Sequence, residues 1–389
     1  MAKKDFSKKA LALHKKLGGK ITVSSTVQVR NRSTLSLVYT PGVAAVSSLI
    51  ARSKRKAQAA VARDYTIKGK TVAVISDGSA VLGLGNIGPY GALPVMEGKC
   101  ALFKTFANVE AFPIVLNTQD PDEIIETIVR IAPVFGGINL EDIAAPKCFY
   151  IEEELKRRLD IPVMHDDQHG TAIVVLAALI NAMKVVGKNI NQKNKRIVVS
   201  GVGAAGVAVM RLIKQFAPKA AIVAVDSVGI VGRGRKDLNS TKKKLITEKI
   251  IVANEGGDLA KALIDADVCI GVSKPGVLTA EMIREMAQHP VIFAMANPTP
   301  EIMPDEAKKA GAAVVGTGRS DFPNQINNSL AFPGIFRGAL DNRVTKITDA
   351  MKIKAAKNLA ALVAYPTADK IVPGPFEKGV AQAIASAIR

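Results

Sequence analysis

Short apolar runs alternate with longer amphipathic stretches along most of this chain, a pattern that predicts two successive α/β units. In the first unit, Val72–Ile75 and Pro113–Leu116 read as buried strands, with helices near Leu93–Phe106 and over Pro121–Ala132. Gly137–Leu140 reads as a further strand or turn, and Ile151–Leu159 as a charged helix. Ile161-Pro162-Val163-Met164 crosses into the second unit, and a long apolar helix over Thr171–Val186 is placed at the junction. From Arg196 to about Val315, strands near 197–200, 221–225, 268–272, 291–295 and 313–315 alternate with helices, as in a doubly wound sheet. Residues 1–40 read as a helical segment leading into the first unit. Residues 336–389 read as largely helical, with a Pro-rich break at Tyr365–Pro375. The expected fold class is α/β, divided into 1–162 and 163–389.

The pattern G-x-G-x-x-G occurs twice, as Gly83–Gly88 and Gly201–Gly206. The second copy follows the apolar run Arg196–Ser200 and precedes a helical pattern over Val207–Phe216. A further strand then ends in Asp226. This is a complete β-α-β unit: Gly201, Gly203, Ala204, Ala205 and Gly206 form a tight phosphate-binding turn, and Asp226 accepts from an adenosine ribose hydroxyl. The 163–389 half is therefore expected to be a Rossmann-like, dinucleotide-binding domain. The first copy lacks that setting. Seven residues separate it from the preceding strand, and Pro89 and Gly91 stand where a long helix should begin. The next apolar run ends in Asn117 rather than an acid. It reads instead as a loop whose backbone approaches a small substrate, which makes the 1–162 half the substrate domain.

A chain of 389 residues is expected to form two domains. No apolar run reaches the roughly 20 residues needed to cross a membrane. The basic N-terminus, from Lys3-Lys4 to Lys15-Lys16, lacks the apolar core of a secretory signal. It is also lysine-rich and contains Asp5, unlike a mitochondrial presequence. Cys100, Cys148 and Cys269 fall into no zinc or disulfide spacing, which points to a reducing cytoplasm. The net charge of +19 raises nucleic acid as a partner, yet the basic residues are scattered, apart from clusters such as Lys242-Lys243-Lys244. With no tryptophan and few aromatics to stack bases, compositional bias or steering of an anionic substrate is the simpler account. Neither a specific nucleic acid nor a membrane is an expected partner.

Glu141-Asp142 follows the run Gly137–Leu140, and Asp166-Asp167 lies in His165–Thr171 just ahead of a helix. Adjacent acids at strand ends can converge on one hard cation, although each pair alone is equally accounted for by helix capping or a solvated surface. His165 and His169 have no third histidine or cysteine at ligand spacing, so Mg²⁺ or Mn²⁺ is favoured over zinc. Tyr39 precedes a rigid turn at Thr40-Pro41-Gly42. Lys99 follows Gly98 in a mostly apolar stretch. To serve as a base near neutrality, such a lysine must lose roughly three pKa units, about 4 kcal/mol.

Tyr39–Ala44, Ser76–Gly88 and Leu93–Lys99 together resemble the N-terminal domain of malic enzymes. Gly137–Asp142 and His165–Thr171 are similar to that family's two metal-binding segments, and Ala296–Glu301 and Asn327–Gly334 match it again near the C-terminus. The length is similar to the short microbial form. The resemblance implies metal-dependent oxidative decarboxylation of L-malate to pyruvate and CO₂ with reduction of NAD⁺ or NADP⁺. By position it implies Lys99 as the base at the C2 hydroxyl, Tyr39 as the acid at C3, and Glu141, Asp142 and Asp167 as ligands of Mg²⁺ or Mn²⁺. It further implies that Asp166 orients Lys99 or the metal site, that Asn297 and Asn328 bind nicotinamide, ribose or the substrate carboxylate, and that the protein is a homodimer with active sites near the interface.

The chain departs from larger eukaryotic relatives at Ala80, where they carry a carboxylate-gripping arginine. Anchoring then falls to Asn328, loop N–H groups or a residue of a partner subunit. Asp226 favours NAD, while Ser227, Arg233, Arg235 and Lys236 follow closely enough to tolerate NADP. A malolactic-type enzyme, a noncatalytic nucleotide-binding regulator and an amino-acid dehydrogenase are the competing readings.

Overall fold

The structure is a computed structural model that describes residues 6–55, 57–81, 83–253 and 256–389. Lys3, Lys4, Asp5 and Leu82, used above, lie outside the described residues. The chain opens with an arm of four helices: α1 (Phe6–Leu17), α2 (Arg32–Val38), α3 (Gly42–Arg52) and α4 (Gln58–Tyr65). The arm runs well past the predicted residue 40, and no described residue before Lys68 is buried.

The first sheet is built by β1 (Thr71–Ser76), α5 (Gly88–Ala107), β2 (Glu110–Val115), α6 (Pro121–Ile131), β3 (Gly137–Leu140), α7 (Lys147–Arg158), β4 (Val163–His165) and α8 (Asp166–Val185). Its strands are all parallel, in the order β2-β1-β3-β4. Every residue of β1 is buried, which is why the strand reads as an unbroken apolar run. β4 hydrogen-bonds to β3, so this sheet takes in residues beyond 162.

Two helices begin earlier than their apolar patterns suggest. α5 starts at Gly88 with Pro89 in its first turn, although Pro89 and Gly91 had argued against a helix there. A first-turn proline surrenders an N–H that has no intrahelical partner, so it costs the helix little. α8 starts at Asp166, five residues ahead of the predicted Thr171. Its first-turn acids, Asp166 and Asp167, suit the positive end of the helix dipole.

α8 also qualifies the reading of apolar runs. It and the segment Arg32–Arg52 both have the length and hydropathy of a membrane span. In α8 that apolarity is spent on the core, where 72% of the segment is buried; in Arg32–Arg52 none is.

The second sheet follows through β5 (Arg196–Ser200), α9 (Ala204–Phe216), β6 (Ala221–Asp226), β7 (Gly229–Ile230), α10 (Ser240–Thr247), α11 (Leu259–Leu263), β8 (Val268–Gly271), α12 (Ala280–Arg284), β9 (Val291–Ala294), α13 (Pro304–Lys309) and β10 (Val314–Thr317). The strand order is β10-β9-β8-β5-β6-β7, parallel except for β7, a short antiparallel edge the sequence did not predict. The order reverses at β5, so the connections leaving β5 and β8 diverge and open a crevice at their carboxyl ends.

Three closing helices, α14 (Phe332–Asp341), α15 (Asp349–Ala361) and α16 (Val380–Ala385), return to the first unit. Phe103 of α5 meets Phe332 and Phe336 of α14 edge-on, at 4.8 and 5.6 Å between ring centroids. One apolar cluster therefore runs from Val72 through α8 to Ile197 and Phe332. The two sheets are fastened together by a shared core, and the site lies where their strand ends face each other.

Candidate active site

β1, β3 and β4 are neighbours in a parallel sheet, so the residues after their carboxyl ends are delivered to one place. Those residues are Asp77, Glu141-Asp142 and Asp166-Asp167. One carboxylate oxygen from each of Glu141, Asp142 and Asp167 lies within 4.8 Å of the other two. Asp142 adopts φ +53°, a left-handed conformation that aspartate tolerates better than most residues. Its N–H then donates to Asp167 Oδ2 at 2.8 Å. α5 brings Lys99 against this group. The ammonium lies 2.9 Å from Glu141 Oε1, donates to Asp166 Oδ2 and sits 4.3 Å over the Phe332 ring.

Lys99, Glu141, Asp142 and Asp166 are all buried. Burial alone would lower the Lys99 pKa, but Asp166, Glu141 and Asp167 outweigh it and hold the ammonium above the ordinary lysine range. This is opposite to the shift a base requires: the bare acids keep Lys99 protonated. Burial, reinforced by Asp167, raises Glu141 well above the usual carboxylate range, and burial pushes Asp166 up to about 6 against the pull of Lys99. Asn139 Oδ1 and Asp166 Oδ1 are buried with no hydrogen-bond partner among the described residues. Orphaned oxygens beside converging carboxylates suit a hard divalent cation with its water, and no histidine or cysteine joins the group among the described residues.

The two glycine motifs do different work. Gly83 has φ +73°, and a Cβ there would stand 2.2 Å from the Asn297 carbonyl oxygen, so the first motif abuts the loop after β9. Ser79 ties this loop to the strand ends: its N–H and hydroxyl donate to Asp77 Oδ1, and its Oγ accepts from Ala144 N. Ala80 donates its N–H to Asp142 O at 2.9 Å. In the second motif, Gly206 packs so tightly that a Cβ would lie 1.9 Å from Gly201 O, whereas Gly203 faces open space at the start of α9. Ala204 and Ala205 form the first turn behind it. A cavity of about 520 Å³ lies alongside, lined by residues including Gly201, Val202, Asp226, Lys242, Ser273 and Lys274.

Asp226 is not a bare acid. Arg235 Nη1 and Lys242 Nζ each approach it at 2.6 Å, and Val228 N and Gly229 N donate to it as well. Burial raises its pKa, but these bonds outweigh burial and hold it at about 2. Lys242 was missed as a partner, although the run Lys242–Lys244 was visible in the sequence. Asp77 and Glu301 were missed too. Asp77 is fully buried and 2.5 Å from Lys147 Nζ, while Glu301 accepts from Ser273 N and Ala296 N and so holds the Asn297 loop against β8. Asn328 lies beside α8, its Cβ 3.2 Å from where a Cβ on Gly170 would stand. Tyr39, by contrast, stands 67% exposed on the N-terminal arm.

Residues 18–156 match the family description "Malic enzyme, N-terminal domain", and residues 168–388 match "Malic enzyme, NAD binding domain". The chain is 54% identical to a bifunctional malic/malolactic enzyme of Bacillus subtilis, over 97% of this chain and 91% of that one. It is 50% identical to an NAD-dependent malic enzyme of Geobacillus stearothermophilus, over 96% and 76%. Its fold is similar to the crystal structure of an NAD-dependent malic enzyme from Thermotoga maritima, with TM-score 0.91 and 47% identity over 97% and 98% of the two chains.

The glycine geometry predicts a contrast that calorimetry and thermal unfolding can read. Gly206→Ala should lower both the melting midpoint and dinucleotide affinity. Gly203→Ala should leave the ligand-free midpoint unchanged and raise the dinucleotide Kd about tenfold, roughly 1.4 kcal/mol. An unchanged Kd in Gly203→Ala would put the phosphates elsewhere.

Proposed function

The chain belongs to the malic enzyme family, and we infer that the acidic pocket and the glycine-lined crevice are the two halves of one active site. The reaction is the metal-dependent oxidative decarboxylation of L-malate to pyruvate and CO₂ with reduction of NAD⁺. The reading of residue roles is supported by one observation above all: Lys99 sits buried against Asp166 and Glu141, beside the converging oxygens of Asp142 and Asp167. It includes the division near residue 162 into a malate-binding unit, whose sheet reaches on to β4, and a cofactor-binding unit.

In this reading Glu141, Asp142 and Asp167 hold Mg²⁺ or Mn²⁺, and Asp166 orients Lys99. A bound cation would offset part of the negative charge around Lys99 and polarise the C2 oxygen of malate. Lys99, which burial draws toward its neutral form, takes the C2 hydroxyl proton as hydride leaves for the nicotinamide. Tyr39 supplies the proton that C3 receives after CO₂ departs. Asn297 faces the nicotinamide and its ribose. The Asn297 and Asn328 amides, with N–H groups of the 78–88 loop, grip the malate carboxylates in place of the arginine absent at Ala80.

Asp226 takes the adenosine ribose hydroxyls and favours NAD⁺. Arg235 and Lys242, already drawn to that spot, temper its repulsion of a 2′-phosphate, so NADP⁺ is accepted less well. The exposed arm calls for a cover: α2 and α3 bury nothing, and Leu37 and Leu49 are 72% and 45% exposed. A contiguous apolar face of this kind marks an interface. We assign it to a second copy of the chain, which brings Tyr39 into a site completed at the dimer interface.

One second reading has a specific support. The Bacillus subtilis relative is named for malolactic as well as malic activity, and the same pocket can release lactate with no net reduction of NAD⁺.

Malate turnover followed at 340 nm should vanish with EDTA, return with Mn²⁺, and be absent in Lys99→Ala although that variant binds NAD⁺; lactate without NADH would favour the second reading. The ratio of kcat/KM values should favour NAD⁺ over NADP⁺, and a strong preference for NADP⁺ would sink the role given to Asp226. Light scattering should report twice the chain mass of 41.1 kDa, and Leu37→Asp should shift it to the monomer; a monomeric wild type refutes the dimer.

A further inference from the structure

The acids of the metal pocket ride on the first turn of α8, and a chain of polar groups that includes the buried Glu152 and Lys352 grips that turn from behind. Glu152 of α7 is 4% exposed. Its Oε1 accepts the His165 N–H at 2.9 Å and lies 2.8 Å from Lys156 Nζ. Its Oε2 lies 3.0 Å from His169 Nε2. The other ring nitrogen, His169 Nδ1, is 3.0 Å from Lys352 Nζ of α15, and Lys352 pairs with Asp349 at 2.9 Å.

The chemistry of these groups fixes the direction of every bond. An ammonium has no lone pair, so Lys352 donates and Nδ1 accepts. Nε2 therefore carries the ring proton and donates it to Glu152. Burial raises Glu152, but His169 and Lys156 outweigh it and hold the carboxylate well below its usual range. A single tautomer thus links α7, α8 and α15.

The spacing of the grip gives it a function. Glu152 takes hold at His165 and again at His169, and Asp166 and Asp167 lie between those two points. One carboxylate fixes both ends of the turn that carries them, so small rotations of that turn, which would redirect both acids, are resisted from outside the pocket. A partner behind the ligands commonly sets metal affinity by this means.

We propose that Glu152, His169 and Lys352 are positioning residues that aim Asp166 and Asp167, and thereby set the affinity for the divalent cation. The proposal rests on the metal reading given above. A merely structural clamp would loosen cation and dinucleotide sites together, whereas an aiming device acts on the cation alone.

The test is Mn²⁺ binding followed by electron paramagnetic resonance, with NAD⁺ affinity by fluorescence as the control. His169→Leu and Lys352→Met should each raise the Mn²⁺ Kd about tenfold or more and leave the NAD⁺ Kd unchanged. His169→Gln, whose amide can donate to Glu152 and accept from Lys352, should stay close to wild type. Wild-type Mn²⁺ affinity in both His169→Leu and Lys352→Met overturns the proposal. So does His169→Gln binding as weakly as His169→Leu, or a parallel loss of NAD⁺ affinity. Wild-type protein that binds no Mn²⁺ overturns the metal reading and this proposal with it; binding lost in Asp167→Asn yet kept in the clamp variants overturns the proposal alone.

Discussion

Burying Glu141, Asp142 and Asp166 beside Asp167, with Lys99 as their buried cation, is the constraint around which this structure is arranged. Two unit charges about 4 Å apart interact by roughly 4 kcal/mol even at an effective dielectric of 20, and desolvation adds to the cost of each ion. One ammonium cannot balance that many acids. Burial raises the pKa of Glu141 and of Asp166, and the same acids hold Lys99 above the ordinary lysine range. That excess of buried negative charge is the ground on which a divalent cation is proposed for this pocket.

The fold supplies this pocket cheaply. Three adjacent parallel strands end on the same side of a sheet, so acids placed just after each strand meet without any long-range device. Two tight approaches then close the space. The loop after β1 packs on the Asn297 carbonyl through Gly83, and the Asp166 carboxylate lies against the first turn of α8 because position 170 has no side chain. The facing sheet contributes a crevice at its own strand ends, and the shared core of α5, α8 and α14 keeps the two openings in register. The recurrence of G-x-G-x-x-G has a physical explanation in this arrangement. Glycine is needed wherever backbone approaches something closely, and in one loop that neighbour is protein, while in the other Gly203 leaves room for a ligand.

Most strands were legible because they are buried on both faces and read as short apolar runs. The acids were legible as candidates because they follow those runs. The starts of α5 and α8 were not, since their first turns are written in Gly, Pro, Asp, Gln and His, residues chosen by the site rather than by helix propensity. β7 was invisible because two residues carry no period. Lys242 and Arg235 stood out only as basic residues near Asp226, and nothing in their spacing says that they neutralise it. Glu152 lies in a helix of mixed charge, where a buried carboxylate and a solvated one look alike.

By itself, the sequence determined the two α/β units, the glycine-rich turn at Gly201–Gly206 and the residue types available for chemistry, because these depend on local period, local backbone freedom and the identity of side chains. Tertiary structure alone decided which acids share a pocket, the charge state of Lys99 among them, the pairing of Asp226, and the exposure of Tyr39 on the N-terminal arm. Those properties depend on distance and burial between segments far apart in the chain. Electrostatic effects inside a protein follow that geometry, and no spacing along a sequence encodes it.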